Sequence, residues 1–146
     1  MTGRVLGVDP GSARIGLALS DPLGVTAQPI ETLECVGSRR DLNTISERVR
    51  EHDVKTVVIG LPLTLRGEEG EAARASREMA VGLERRLPGV RIELWDERLT
   101  TVQAERTMVA GKQRRAKRRQ RIDSLAATLI LQSWLDAQAF KRTESD

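Results

Sequence analysis

The stretch GVDPGSARIGLALSD, from Gly7 to Asp21, decides the fold of this chain. Apolar runs on either side of Pro10-Gly11-Ser12 predict two strands joined by a tight turn, with Asp9 where the first strand ends. A carboxylate in that position is expected to be displayed at the edge of a sheet, not buried. The alternative interpretation is that Asp9 only caps the turn, because Asp, Pro and Gly are ordinary turn residues. The rest of the chain has to decide between these two roles.

The segments after this hairpin predict three further strands, over residues 27–33, 54–59 and 90–95. Short right-handed crossovers would make the last two strands parallel neighbours. The inferred order is three strands, a helix, a strand, a helix, a strand and then two helices. It predicts an α/β fold in which helices flank a mixed five-stranded sheet.

Helices are predicted between these strands and after the last one. Apolar residues recur at helical spacing from Leu42 to Val49, and a second helix stops before Pro88-Gly89. Thr100 or Thr101 is expected to cap a third helix. A final helix is predicted over residues 122–140.

Length and composition exclude several classes of protein. The 146 residues, 39% of them hydrophobic, are expected to form a single domain over residues 1–140 with a flexible tail over 141–146. Neither a signal peptide nor an apolar run near the ~20 residues of a membrane span is present, so a cytoplasmic protein without a membrane partner is expected. Cys35 and His52 are the only cysteine and histidine, which excludes an internal disulfide and a cysteine-built zinc site. Catalysis would have to use carboxylates or hydroxyls.

A basic segment precedes the final helix, and such a field favours a polyanionic partner. The alternative is a solvated helix face or a basic loop without a specific partner. The chain has only three aromatic residues, so recognition of a nucleic acid by its backbone and shape is expected rather than base stacking. The cationic residues of the segment are Lys112, Arg114, Arg115, Lys117, Arg118, Arg119 and Arg121.

Two other acidic positions are candidates to join Asp9. Asp96 and Glu97 follow the strand over residues 90–95, and parallel strand ends meet at the edge where α/β folds bind ligands. Successive side chains point to opposite faces, so at most one of the two is expected to face the site directly. Asp123 begins an apolar helical stripe and so lies on a packing face. The alternatives are a surface ion-pair turn for the first two and a helix N-terminal charge for the third.

Three carboxylates in one place require a cation. At ~4 Å and an effective dielectric near 20, each pair would repel by about 4 kcal/mol. Oxygen ligands of this type suit Mg²⁺ or Mn²⁺, and two such ions can activate water and stabilise the leaving oxygen of a phosphodiester. The basic segment just before Asp123 would bring the polyanion to this site.

Four segments together resemble the RuvX (YqgF) family of Holliday junction resolvase-like proteins, also described as pre-16S ribosomal RNA nucleases. The resemblance spans nearly the whole chain, and four motifs in one order are specific. It implies an RNase H-like fold related to the RuvC resolvases. The segments are GVDPGSARIGLALSD, VVIGLPLTLRGEEG, WDERLTT and RIDSLAATLILQSWL.

The resemblance also implies the active site. It maps the catalytic, metal-binding carboxylates onto Asp9, Glu97 and Asp123, with Asp96 as the alternative to Glu97. It implies metal-dependent hydrolysis with Mg²⁺ or Mn²⁺, leaving a 5′ phosphate and a 3′ hydroxyl. The implied substrate is structured RNA, at the 5′ end of pre-16S rRNA or in a pre-ribosomal particle, and branched DNA is the alternative. An RNA-trimming enzyme can act as a monomer, whereas a resolvase usually needs a homodimer.

Two arginines near the acidic residues are candidates for phosphate binding, because guanidinium matches phosphate geometry. Arg14 follows the hairpin turn, and Arg98 follows Glu97. Arg98 could instead pair with Asp96. The loop over residues 61–70 either flanks the substrate groove or is an ordinary surface turn.

Two other functions stay open at this point. An actin-like ATPase or sugar kinase also opens with an acidic glycine hairpin, although such proteins generally need two domains of this kind to enclose ATP. A noncatalytic module could use the basic segment to bind structured RNA or branched DNA, with the acidic residues serving only structure.

Overall fold

A computed structural model describes residues 3–100 and 116–145, and the side chains within those ranges except at 116–124 and 144–145. The five strands are β1 (Arg4–Pro10), β2 (Arg14–Ser20), β3 (Ala27–Glu34), β4 (Val54–Leu61) and β5 (Arg91–Asp96). The helices are α1 (Ser38–Glu51), α2 (Glu71–Arg86) and α3 (Ala116–Ser145), with a short 3-10 helix at Glu97–Leu99.

The strands form one sheet in the order β3-β2-β1-β4-β5. β1 pairs antiparallel with β2, and β2 pairs antiparallel with β3, as expected for a meander. β4 lies parallel to both β1 and β5. The predicted mixed five-stranded α/β sheet with parallel final strands is therefore confirmed.

Side-chain alternation divides the core into two layers. Leu6, Val8 and Ile59 face α1 and α2, whereas Val5 and Val58 face α3. Gly7 lies on the α3 face, where a Cβ atom would come within 2.7 Å of the Leu131 Cβ atom. A glycine at this position allows α3 to pack directly against the central strand.

The final helix is longer than predicted. It begins at Ala116 instead of residue 122 and continues past Phe140 to Ser145. The reason is that Ala, Lys, Arg and Gln are good helix formers and neither end contains a glycine or proline. The predicted flexibility of 141–146 stays a prediction.

Thr100 closes the 3-10 helix through its backbone N–H and hydroxyl groups, which both donate to the Glu97 carbonyl oxygen at 3.1 and 2.8 Å. The helix predicted to follow it lies outside the described residues. In the part of the chain that the structure describes, no helix combines the length and the hydropathy of a membrane span.

Candidate active site

Asp9 lies inside the sheet, and the prediction that it is displayed at the edge is wrong. Its residue surface is only 2% exposed. β1 continues through Pro10, and Asp9 pairs with Gly16 of the neighbouring strand, so the strand does not end at the carboxylate. Alternation places Asp9 on the same face as Gly7, which α3 covers. The carboxylate therefore belongs to the buried layer between the sheet and α3.

Glu97 is the second buried carboxylate and is 1% exposed. It directly follows β5 and begins the 3-10 helix. One of its oxygens, Oε2, would lie 2.8 Å from a Cβ atom built on Gly60, and the Ile130 Cδ1 atom would lie 2.6 Å from the same position. The Glu97 carboxylate thus occupies space that a side chain at residue 60 would fill.

The strand register places these two acidic residues on the same face of the sheet. β1 and β4 pair as Gly7 with Val58 and Val8 with Ile59. One further step along both strands places Asp9 beside Gly60, the residue against which Glu97 packs. Asp9 and Glu97 therefore share one face of the sheet at the carboxyl end of parallel strands.

The backbone of α3 carries Asp123 toward the same place. Asp123 lies one helical turn before Ala127, which is buried against the sheet. The Ala127 carbonyl oxygen would lie 3.1 Å from a Cβ atom at Gly7, while Gln132, farther along α3, bonds to Ala27 near the opposite end of the sheet. The N-terminal direction of α3 therefore leads from Gly7 toward Asp9. The Asp123 side chain lies outside the described part of the chain.

Asp96 and Glu97, which sequence alternation alone could not separate, have different surroundings. The Asp96 Oδ2 atom accepts from Arg98 Nη2 at 2.7 Å, and Oδ1 accepts from Arg98 Nε at 3.1 Å and from the Arg98 backbone N–H at 2.9 Å. The guanidinium holds the pKa of the Asp96 carboxyl below its usual range, and the same pair raises the pKa of Arg98. Glu97 is the carboxylate on the α3 face, and Asp96 pairs with Arg98.

Arg14 lies on the α3 face of β2, two residues before Gly16, the partner of Asp9. Its Nε atom lies 3.3 Å from an oxygen of Glu34 on the neighbouring strand. Its proposed contact with phosphate stays a prediction.

The basic segment is described only in part. Lys117, Arg118 and Arg119 belong to the first turns of α3, but their side chains are not described. Lys112, Arg114 and Arg115 lie outside the described residues. The structure therefore shows that the second half of the segment is helical and continuous with the helix that carries Asp123.

The donor set suits a hard divalent cation. Asp9 and Glu97 offer only carboxylate oxygens, and Mg²⁺ is commonly bound through one or two carboxylates together with water. Among the described side chains, which do not include Asp123, no group of three or more His, Cys, Asp or Glu residues is placed to hold a metal ion. The described residues thus fit a metal site in which Asp9 and Glu97 are two of the ligands and a third ligand would complete the set.

Gly60 is the site residue that sequence reasoning missed. It lies near the end of the apolar strand VVIGL, and a glycine inside a strand often marks a close approach by another group. That signal was present, but it does not reveal which group approaches.

The family model described as "RuvX: Holliday junction resolvase" matches residues 3–137. The chain belongs to the RuvX family. Two relatives, from Myxococcus xanthus (strain DK1622) and Listeria innocua, carry the name "Putative pre-16S rRNA nuclease". The first is 49% identical over 92% of this chain and 88% of its own length, and the second is 46% identical over 91% and 97%.

Solved structures share the fold of this RuvX chain at low sequence identity. A Thermus thermophilus RuvC structure in complex with a Holliday junction matches with a TM-score of 0.60 and 16% identity, over 94% of this chain and 96% of that one. The yeast mitochondrial Holliday junction resolvase Ydc2 matches with a TM-score of 0.55 and 11% identity, over 94% and 80%. RuvC-like resolvases have an RNase H-like fold, so the fold expected from the sequence is confirmed.

Proposed function

We propose that this RuvX chain is a metal-dependent nuclease that hydrolyses phosphodiester bonds in the 5′-end processing of pre-16S rRNA. The observation that carries the proposal is the burial of Asp9 and Glu97 on one face, at the carboxyl end of parallel strands. Burying two carboxylates together is costly unless a cation or hydrogen-bond donors compensate them. The substrate class comes from the names of the close relatives.

Asp9, Glu97 and Asp123 would hold Mg²⁺ or Mn²⁺. The bound metal would activate a water molecule and stabilise the leaving oxygen of the phosphodiester. Gly60 leaves the space in which the Glu97 carboxylate lies, and α3 covers the same face with Ala127 and Ile130. These residues would fix the orientation of the carboxylates before the substrate arrives, which reduces the cost of reorganisation.

The substrate would approach along the start of α3. The cationic side chains of the basic segment precede Asp123 directly in the chain, so phosphates attracted by them come close to the acidic residues. The carboxylates alone would repel a polyanion, and the basic segment would offset this repulsion.

Cleavage of branched DNA is the second candidate function. The description of the matching family model, Holliday junction resolvase, favours it. Resolution of a junction needs two incisions and hence usually a homodimer, whereas trimming of an RNA end can be performed by a monomer.

The test is cleavage of a pre-16S rRNA fragment and of a four-way DNA junction in parallel, with Mg²⁺ or Mn²⁺. Native protein is compared with Asp9→Asn, and the matched control is Asp53→Asn, which changes an exposed residue directly before β4. We expect RNA cleavage by the native protein and the control, and RNA binding without cleavage by Asp9→Asn. Selective cutting of the junction would favour the resolvase. Binding of RNA or DNA without cleavage by native protein or either variant would favour a noncatalytic module. In a separate assay, hydrolysis of ATP would favour the kinase-like alternative.

A further inference from the structure

The ion pair between Asp96 and Arg98 spans the turn that carries Glu97, because these two residues lie directly before and after it. We propose that Asp96 and Arg98 position Glu97 for metal binding by tying the end of β5 to the loop over residues 62–70. This inference rests on the proposed function. It makes Arg98 a positioning residue and places Asp96 outside the metal site.

The contacts within the turn restrict the backbone on both sides of Glu97. Asp96 is the N-cap of the 3-10 helix, and its Oδ1 atom accepts from the Arg98 backbone N–H at 2.9 Å. The Arg98 guanidinium returns to the same carboxylate through Nε and Nη2, at 3.1 and 2.7 Å. With its neighbours joined by backbone and side-chain bonds, Glu97 has little freedom to turn away from Gly60.

The other side of the Arg98 guanidinium contacts the loop. Its Nη1 atom lies 3.5 Å from the Leu65 carbonyl oxygen, and a Cβ atom at Gly67 would lie 3.2 Å from the same nitrogen. Gly67 has a φ angle of +84°, which glycine adopts without strain. Arg98 thus fills the space between the end of β5 and a glycine of the loop.

The loop is itself a compact, hydrogen-bonded structure. The Gly67 N–H donates to the Thr64 carbonyl oxygen at 2.8 Å, and the Glu68 N–H donates to the Thr64 hydroxyl at 3.0 Å. At its far end, Glu69 forms a two-pronged ion pair with Arg77 of α2, with contacts of 2.5 to 2.9 Å. One arginine therefore holds the loop from each side, but only Arg98 is adjacent to an acidic residue of the site.

This geometry favours one of the two roles predicted for Arg98. Bidentate binding of a phosphate uses two guanidinium nitrogens that point the same way. The Nε and Nη2 atoms of Arg98 already bind Asp96 in that manner. Arg98 therefore acts on the backbone around Glu97 instead of on a substrate phosphate.

The test is Mn²⁺ binding to the full chain without nucleic acid, measured by electron paramagnetic resonance. The variants are Arg98→Lys, Asp96→Asn and the double variant, with Arg48→Lys as the matched control, because Arg48 pairs with Glu31 away from this loop. Residues that orient a metal ligand typically change affinity by about 10- to 100-fold. We expect each single variant to raise the Kd for Mn²⁺ about 10-fold, the double variant to do no more than either, and the control to match native protein. Hydrogen exchange in residues 62–70 should also rise in Arg98→Lys and Asp96→Asn.

Other outcomes overturn the inference in distinguishable ways. Loss of Mn²⁺ binding in Asp96→Asn but not in Arg98→Lys would make Asp96 a direct ligand. Native affinity in both variants, with binding lost in Asp9→Asn, would reject the positioning role and leave the proposed nuclease intact. Native protein that binds no Mn²⁺ would contradict both proposals. If RNA binding by Arg98→Gln depends less steeply on salt than binding by native protein, by the amount that one phosphate contact contributes, Arg98 would be a substrate-binding residue instead.

Discussion

Gly60 shows how a residue without a side chain shapes the acidic site. The β4 backbone, the Ile130 side chain and the Glu97 carboxylate meet at this residue. Any Cβ atom there would lie closer to both neighbours than normal van der Waals contact permits. The position of Glu97 depends on this space as much as on its own place in the chain.

We expect Gly60→Ala to weaken Mn²⁺ binding and RNA cleavage and to lower the free energy of unfolding by about 1–3 kcal/mol, the usual cost of overpacking. The cause would be displacement of Glu97 Oε2 and Ile130 Cδ1, which lie 2.8 and 2.6 Å from the new atom. Urea denaturation and Mn²⁺ binding would measure the two effects. Gly82→Ala is the control, because its Cβ atom would meet Leu42 in the opposite core layer at 2.5 Å. Equal loss of metal binding in both variants would contradict the assignment.

At the scale of elements, hydrogen bonds connect α3 to the turn between β2 and β3, far from the acidic residues. The Gln132 Oε1 atom accepts from the Ala27 N–H at 2.9 Å, and Nε2 donates to the Val25 carbonyl oxygen at 3.0 Å. Within the same turn, Asp21 Oδ1 accepts from the Val25 and Thr26 backbone N–H groups at 2.6 and 3.0 Å. The turn between β2 and β3 is thus stabilised both from inside and by the helix.

Asp21 predicts a pH dependence of stability. The backbone hydrogen bonds from Thr26 and Val25 lower the pKa of its carboxyl below the usual Asp value. A carboxyl with a lowered folded-state pKa contributes stability above its unfolded pKa and loses that contribution as the pH falls through the folded value. We therefore expect Asp21→Asn to be less stable than native protein at pH 7, and the difference to vanish on acidification below the ordinary Asp range. Urea unfolding of both proteins at pH 7 and in acid checks this, and parallel pH profiles would contradict it.

At the scale of the whole molecule, one helix, α3, connects the basic segment to the acidic site. α3 carries basic residues in its first turns, Asp123 next and then the apolar stripe that packs on the sheet. Binding and catalysis would therefore share a single helix. Movement of the helix would change both together.

Replacing Arg118 and Arg119 together with Ala should weaken RNA binding and flatten its salt dependence. Each lost phosphate contact lowers the slope of log K against log salt by about 0.7 to 0.9. The control is the double replacement of Lys141 and Arg142, which removes the same charge from the other end of α3. Fluorescence anisotropy over a range of salt concentrations would measure both. An unchanged slope in the first variant, or an equal loss in the control, would argue against the basic segment as the binding surface.

Local patterns predicted the strands well because each one combines a short apolar run with clear turn residues. The second helix ends at Arg86, before Pro88-Gly89, as expected. The start of α3 was predicted too late because the basic residues contain no helix breaker, and hydrophobic periodicity cannot detect a helical extension made of charged residues. The burial of Asp9 was missed because α3 covers its face of the sheet, and local sequence does not reveal which face a distant helix covers.

The sequence by itself determined the α/β class, the order of the elements and a candidate site built only from oxygen ligands, because these follow from periodicity, composition and motifs. Only the tertiary structure decided that Glu97 and not Asp96 packs over Gly60, and that Arg98 joins Asp96 to the loop. The physical reason is that these contacts join residues far apart in the chain, through strand register and helix packing. Neighbouring residues such as Asp96 and Glu97 have similar local chemistry, and only the surfaces packed around them make their roles different.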